Sequence, residues 1–305
     1  MAALRGWASF RRVILRLERQ YGDALDARGE ALRRRLLGLI VEGWGRSTAV
    51  QQLLWRQAFG ELREWDARQR AALLPKAWEA GAGWAGRQAD AVRRYVQDAP
   101  AGDAVMQLVM GQMPGIPAAD WITALEAGML AEAARLQTAG EDAGAAVMRL
   151  AGKGAEDGRA SVWEIGMLRA AASWALAVWG WANAATAMGL RAVNEQSGER
   201  MRRQAIAAID ERTTDCCLRV HGQVVGMDEP FRLTGTPRFA DRMMQPPFHW
   251  HCRTAVALWH PSLEAVGVPT DEMRAAARAE LEARARTGRR AVIHPAHATS
   301  RRKKN

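Results

Sequence analysis

Apolar residues recur at helical spacing from the start of the chain. Phe10, Val13, Ile14, Leu17, Tyr21 and Leu25 follow the i, i+3, i+4, i+7 rule, with Arg11, Arg12, Arg16 and Arg19 on the opposite face. This predicts an amphipathic opening helix. Gly43-Trp44-Gly45 breaks it, and Ser47 is placed to cap the next helix. Helical patterning then runs to about Gln97, where Asp98-Ala99-Pro100-Ala101-Gly102 interrupts it; Pro114, Gly115 and Pro117 interrupt it again. Pro117 suits the first turn of a following helix, on which Ile122, Leu125, Met129 and Leu136 share a face. After a loop at Gly152–Gly158, Ser161-Val162-Trp163-Glu164 has capping-box spacing. Trp174, Val178, Trp181, Ala185 and Met188 then form a stripe of the kind that belongs in a core.

Past Gly198 the pattern changes. Gln204–Ile209 reads as a short strand or a helix end, and Gln223-Val224-Val225 and Thr254–Trp259 read as strands. Asp228–Trp250 is irregular, with four prolines and Gly235, and so long a loop in a compact domain is usually functional or pinned. A helix over about Thr270–Arg286 follows, and Thr287–Asn305 reads as a disordered, basic tail. The expected fold is α+β and predominantly α-helical. It has a helical region over 1–160, a small Cys/His-bearing part with a few short strands within 161–260, and a helix with a tail over 261–305.

Composition supports this reading. Apolar residues make up 49% of 305 positions, yet only two are Tyr and five are Phe, and the abundant Ala, Leu, Arg and Glu are strong helix formers. Three cysteines in so long a chain, two of them adjacent, cannot form a disulfide framework, so a reducing compartment is the expectation. Met1–Arg12 lacks the order of a signal peptide. Ala170–Leu190 is 21 residues without a charge, but it is rich in Ala and contains Asn183, which favours a buried helix over a membrane span.

All three cysteines and four of the six histidines lie between Cys216 and His260. Structural zinc sites pair two short clusters of N and S donors across a loop. Here one cluster is Cys216, Cys217 and His221, and the other is His249, His251 and Cys252. Adjacent cysteines point apart, so one of Cys216 and Cys217 is expected to join His249 and Cys252, with His221 completing a zinc set. The alternatives are apolar cysteines with loop-capping histidines, or a Cys–His nucleophile oriented by Asp210 or Asp215. Asp210 and Arg212 read as a turn ion pair. Pro246-Pro247 reads as an extended approach to His249, and Gly222 as a turn glycine. No phosphate loop, dinucleotide fingerprint or serine elbow is present, so an enzyme is not expected.

Asp210-Glu211-Arg212-Thr213, Cys217, Gly222 and Pro246-Pro247-Phe248-His249-Trp250-His251-Cys252-Arg253 together resemble the head-morphogenesis domain of tailed-phage minor head proteins, the Mu protein F-like family. The matching positions are Asp210, Arg212, Thr213, Gly222, Pro247, His249, Cys252 and Arg253, within roughly 203–258. The preceding helix, with Asn183 and Arg191–Glu195, resembles the family more loosely. Two positions depart from its pattern: Thr214 stands where many relatives have a first cysteine, and His251 where Asn is common.

The resemblance implies a structural virion component in the capsid interior, made in the host cytoplasm. Such a component associates with the portal, with the major capsid or scaffold protein as further candidates, and takes part in head assembly, DNA packaging or ejection. From Asp271 onward ten Lys or Arg face four acidic residues. A basic tail of this kind favours polyanions, so Arg289, Arg290, Arg301, Arg302, Lys303 and Lys304 are candidates for non-specific contact with double-stranded DNA. The rival expectations are a zinc-dependent or thiol enzyme, toxin-like effectors being fused to this module in some relatives, and a membrane-active ejection protein using Ala170–Leu190.

Overall fold

The computed structural model describes residues 2–96, 98–153, 160–198, 201–263 and 268–288. Its elements run α1 (Ala2–Gly43), α2 (Thr48–Val92), α3 (Gly102–Met110), α4 (Asp120–Thr138), α5 (Ala143–Ala151), α6 (Val162–Ser197), β1 (Arg202–Ala207), α7 (Asp215–Val220), β2 (Val224–Gly226), β3 (Phe231–Arg232), β4 (Arg242–Met243), β5 (Thr254–Trp259) and α8 (Thr270–Thr287). The fold is α+β and mostly helical. Two compact units emerge: Arg19–Ala72 with Ile116–Trp174, and Met1–Glu18 with Leu73–Gly115 and Ala175–Asn305.

In the first of these units the apolar stripes face inward as their spacing requires. Tyr21, Leu25, Leu32, Leu36 and Ile40 of α1 and Ile122, Leu125, Met129 and Leu136 of α4 are all buried. Ser161 and Glu164 form the reciprocal box that starts α6: Ser161 N–H donates to the Glu164 carboxylate (3.0 Å) and Glu164 N–H to the Ser161 hydroxyl (3.2 Å). Asp66 and Arg70 form a buried charge pair in this unit. Asp66 accepts from Arg70 (2.7 Å), Trp121 (3.3 Å) and the Tyr21 hydroxyl, while Tyr21 stacks on Trp174 at 4.2 Å. Burial and the neighbouring Asp66 charge push the Tyr21 phenol upward, so it stays a donor.

The second unit carries a three-stranded antiparallel sheet in the order β2-β1-β5, packed on helices. Helix packing is tight where side chains vanish. A Cβ on Gly81 of α2 would stand 2.2 Å from the Ala182 carbonyl oxygen of α6, and one on Gly189 would stand 2.4 Å from Ala85 Cβ. In β1, Ala205 turns its N–H and C=O toward Gln223 and Gly222 beside β2 (3.0 and 2.9 Å). Its partner Val256 therefore faces the outer edge of β5. Helical side chains cover part of that edge: Trp84 Nε1 donates to Val256 O (2.9 Å) and Asn183 Nδ2 to Thr254 O (3.1 Å), so two of its backbone acceptors find donors on the helices.

Several expectations are corrected. The segment after β1 holds a six-residue helix, α7, and not only a turn; Thr214 caps it, accepting from Cys217 N–H at 3.3 Å. Six residues are too few for an apolar period to show. Pro117 lies in the loop before α4, which starts at Asp120, where an acidic residue suits the helix N-terminus. The irregular Asp228–Trp250 stretch contains the small β3–β4 hairpin. The Pro246–Pro247 peptide bond is cis, not part of an extended approach. Among the described residues, no helix is long and apolar enough to cross a membrane; Ala170–Leu190 lies within α6, where Asn183 and Thr186 are buried and hydrogen-bonded to backbone carbonyls.

Candidate functional site

Two turns meet at the end of the sheet. The first leaves β1 through Asp210, whose carboxylate accepts from Arg212 N–H (3.0 Å), an Asx turn. The Thr213 hydroxyl accepts from Asp210 N–H (3.2 Å) and donates to the Ala208 carbonyl. From α8, the buried Arg284 guanidinium donates to Thr213 O (2.6 Å) and Asp210 O (3.0 Å) and pairs with Glu280 (2.7 Å). So clamped, the loop delivers Thr214 to the start of α7. Gly222 ends the turn at φ +75°, where a Cβ would also press on Arg274 and Met273.

The second turn runs into β5. Pro247 lies against Gly180 of α6, and Phe248 is buried edge-on against Phe231 (5.8 Å). Cys252 N–H donates to His249 O (3.2 Å), and His251 between them has φ +55°. His249 Nδ1 donates to Trp250 O (2.6 Å), which aims Nε2 at the first turn.

There Cys217, His249 and Cys252 bring their donor atoms within 4.8 Å of one another, all buried. The two sulfurs are 3.7 Å apart. A tetrahedral zinc with bonds of about 2.3 Å to each sulfur needs about 3.8 Å. His249 Nε2 is 2.9 Å from Cys217 Sγ and would have to open to about 3.5 Å around such an ion. These three residues could hold a metal ion. The fourth corner is not a nitrogen or sulfur: the Thr214 hydroxyl stands 2.8 Å from His249 Nε2, and the Thr254 hydroxyl donates to Cys217 Sγ at 3.1 Å. The donor set therefore falls one ligand short of a closed structural zinc site, and the hydroxyls satisfy the same atoms through hydrogen bonds.

The other two expected donors lie elsewhere. Cys216 is buried outside the cluster, and burial pushes its thiol up to about 12. His221 Nδ1 accepts from Ala207 N–H (2.9 Å) at the end of β1, and burial presses its pKa down to about 4. His221 thus serves the sheet and does not complete a ligand set. Burial also raises Cys217, reinforced by its hydrogen bond to Cys252. Burial works to raise Cys252 as well, but the bond from Cys217 and the charge of His249 outweigh it and hold the thiol well below its ordinary value. The His249 pKa is raised despite burial, by the negative charge of Cys252. Cys217, His249 and Cys252 are at most 2% exposed. A nucleophile needs an accessible, activated thiol, and this arrangement encloses its sulfurs.

Asp210 and Arg253, distant in sequence, meet in one charged chain. Arg11 pairs with Asp210 (2.5 Å), Arg253 reaches Asp210 (3.8 Å) and Glu18 (3.7 Å), and Trp179 Nε1 donates to Glu18 (3.3 Å). Arg212 is exposed; it offers Asp210 its backbone N–H, so the expected Asp210–Arg212 ion pair is replaced by Arg11 and Arg253. Arg289, Arg290, Arg301, Arg302, Lys303 and Lys304 lie outside the described residues.

Sequence reasoning missed Thr254, Arg284 and Arg203. Arg203 is buried in β1, donates to Gly226 O (3.3 Å), Met244 O (2.7 Å) and Glu229 O (2.6 Å), and lies over the Phe231 ring. An arginine two residues ahead of the apolar run Ala205-Ile206-Ala207-Ala208 was the available signal for Arg203. Arg284 sits among other helix arginines and carries no such signal.

A family model, phage Mu protein F like protein, matches residues 102–257, just over half of the chain. The match takes in both turns and extends upstream through α3 to α6. None of the curated proteins matches the chain, and no solved structure matches it.

Proposed function

We propose that this chain, which belongs to the phage Mu protein F-like family, is a structural minor head protein of a tailed phage or prophage. In this reading it works in head morphogenesis, docks at the portal inside the capsid, and contacts DNA during assembly, packaging or ejection. The observation that carries the reading is a family match spanning two turns that close on each other through buried side chains. Such a cluster fits a part that holds its shape within an assembly.

The Cys/His group has a structural task here, tying the start of α7 to the start of β5, and no catalytic role is assigned to it. An enzyme or effector using these thiols would need an entry path to sulfurs that are at most 2% exposed. Zinc is a secondary partner of the group. Cys217, His249 and Cys252 would be its ligands, and Thr214 leaves the affinity below that of a four-donor site. The amphipathic N-terminal helices are the candidate surface for the portal, the major capsid protein or a scaffold, and the basic tail the candidate for packaged DNA.

The test is the protein content of purified heads from a host carrying the gene in its phage or prophage context. The chain is expected at low copy in heads, co-purifying with the portal. Heads that form normally, fill with DNA and lack the chain would refute the proposal.

A further inference from the structure

The β3–β4 hairpin presents two arginines where a sheet normally avoids them. Arg232 and Arg242 are partners in register, so their Cβ atoms are about 5 Å apart on one face, and like charges so placed repel. Both are exposed, while Phe231 and Met243, the other register pair, turn to the opposite face, with Phe231 fully buried. The hairpin is held firmly. Gln223 takes the Arg232 backbone at both ends, accepting from its N–H (2.7 Å) and donating to its carbonyl (3.1 Å). Leu233 N–H bonds Asp241 O (2.8 Å). A third arginine, Arg219 of α7, is exposed and runs against Gly235 in the hairpin loop, its Cδ 3.0 Å from where a Cβ would stand.

The acidic side chains nearby in sequence are already engaged. Asp241 holds Arg238 (2.7 Å), Asp228 pairs with Arg191 (3.3 Å), and Glu229 accepts from Gly226 N–H (2.9 Å). Among the described residues no carboxylate lies within 4.0 Å of Arg219, Arg232 or Arg242. The self-repulsion of a rigidly mounted pair is relieved by an external anion, and guanidinium groups match phosphate oxygens in a two-pronged geometry.

We propose that Arg232 and Arg242, flanked by Arg219, form a contact for the phosphate backbone of duplex DNA, separate from the basic tail. The choice of DNA among polyanions rests on the head-protein reading; the phosphate chemistry rests on the hairpin.

The test is binding of the full chain to a fluorescent random-sequence duplex over a range of salt. Wild type is compared with R232Q/R242Q, with R232K/R242K, and with a chain whose Arg301, Arg302, Lys303 and Lys304 are replaced by Gln. Loss of two phosphate contacts is expected to lower the log–log salt slope by about 1.8 and to weaken binding roughly tenfold. R232K/R242K should recover most of the slope, and thermal midpoints should not fall in either variant, since both side chains are exposed and R232Q/R242Q removes a like-charge pair. The tail variant should weaken binding further when combined with R232Q/R242Q. Unchanged affinity and slope in R232Q/R242Q would overturn the hairpin proposal and leave the head-protein reading standing. If the chain is missing from heads but R232Q/R242Q still loses DNA binding, the reverse holds.

Discussion

Thr214 does two jobs with one hydroxyl: it caps α7 through Cys217 N–H and bonds His249 Nε2. Thr214→Val keeps the shape and removes both bonds, so a loss of about 1–2 kcal/mol is expected from urea unfolding. Thr214→Cys supplies the missing sulfur donor. Metal analysis after exposure to a chelator should then find one zinc per chain in the variant and less in wild type; full retention by wild type would contradict the hydrogen-bonded reading of the fourth corner. His221 gives a separate pH signal. Its folded pKa of about 4 lies below the ordinary 6.5, so the unfolded chain takes up the proton first as pH falls. Its contribution is whole above pH 6.5 and is lost as pH drops to about 4, on the order of 3 kcal/mol. Over that window the wild-type unfolding midpoint should fall more steeply than that of His221→Gln, and parallel curves would contradict the assignment. Donor types and their crowding were legible along the chain. Which histidine faces the cysteines was not, because His221 and His249 are told apart only by the groups that folding brings to them, the Ala207 N–H for one and the Thr214 hydroxyl and Cys217 sulfur for the other.

At the scale of elements, α1, α4 and α6 were legible because each repeats one period over several turns, and β5 because Thr254–Trp259 is a short, mostly apolar run. The capping box at Ser161 and Glu164 marked the start of α6 outright. α7 and the β3–β4 hairpin escaped because neither is long enough for its period to repeat; α7 depends on its Thr214 cap and the hairpin on Gln223. Glycines divide by what surrounds them. Gly81→Ala would drive a methyl into the Ala182 carbonyl region and is expected to cost at least about 3 kcal/mol. Gly22→Ala, in α1 with nothing within 4 Å, should stabilise by about 0.5–1 kcal/mol. Equal effects of the two in thermal unfolding would contradict the packing of α2 on α6.

At the scale of the whole molecule, an α+β fold dominated by helices follows from composition and periodicity. Its division into compact units does not, since each unit gathers segments distant in the chain and α1, α2 and α6 contribute to both. The family match begins at residue 102, well upstream of the Asp-Arg-Thr and Pro-Pro-Phe-His motifs that carry the resemblance. Helical stretches of Ala, Leu and Trp are common to many proteins, whereas spaced Cys, His and Pro residues are not. The proposed function is tied to this architecture by a closed junction between two turns, whose buried sulfurs it assigns a structural task. Alkylation of the native protein at neutral pH, read by peptide mass spectrometry, probes that junction directly. Cys217 and Cys252 should stay unmodified until guanidinium unfolds the chain and then label together; rapid labelling of either in the native protein would mean that the junction is open and its thiols are available for chemistry.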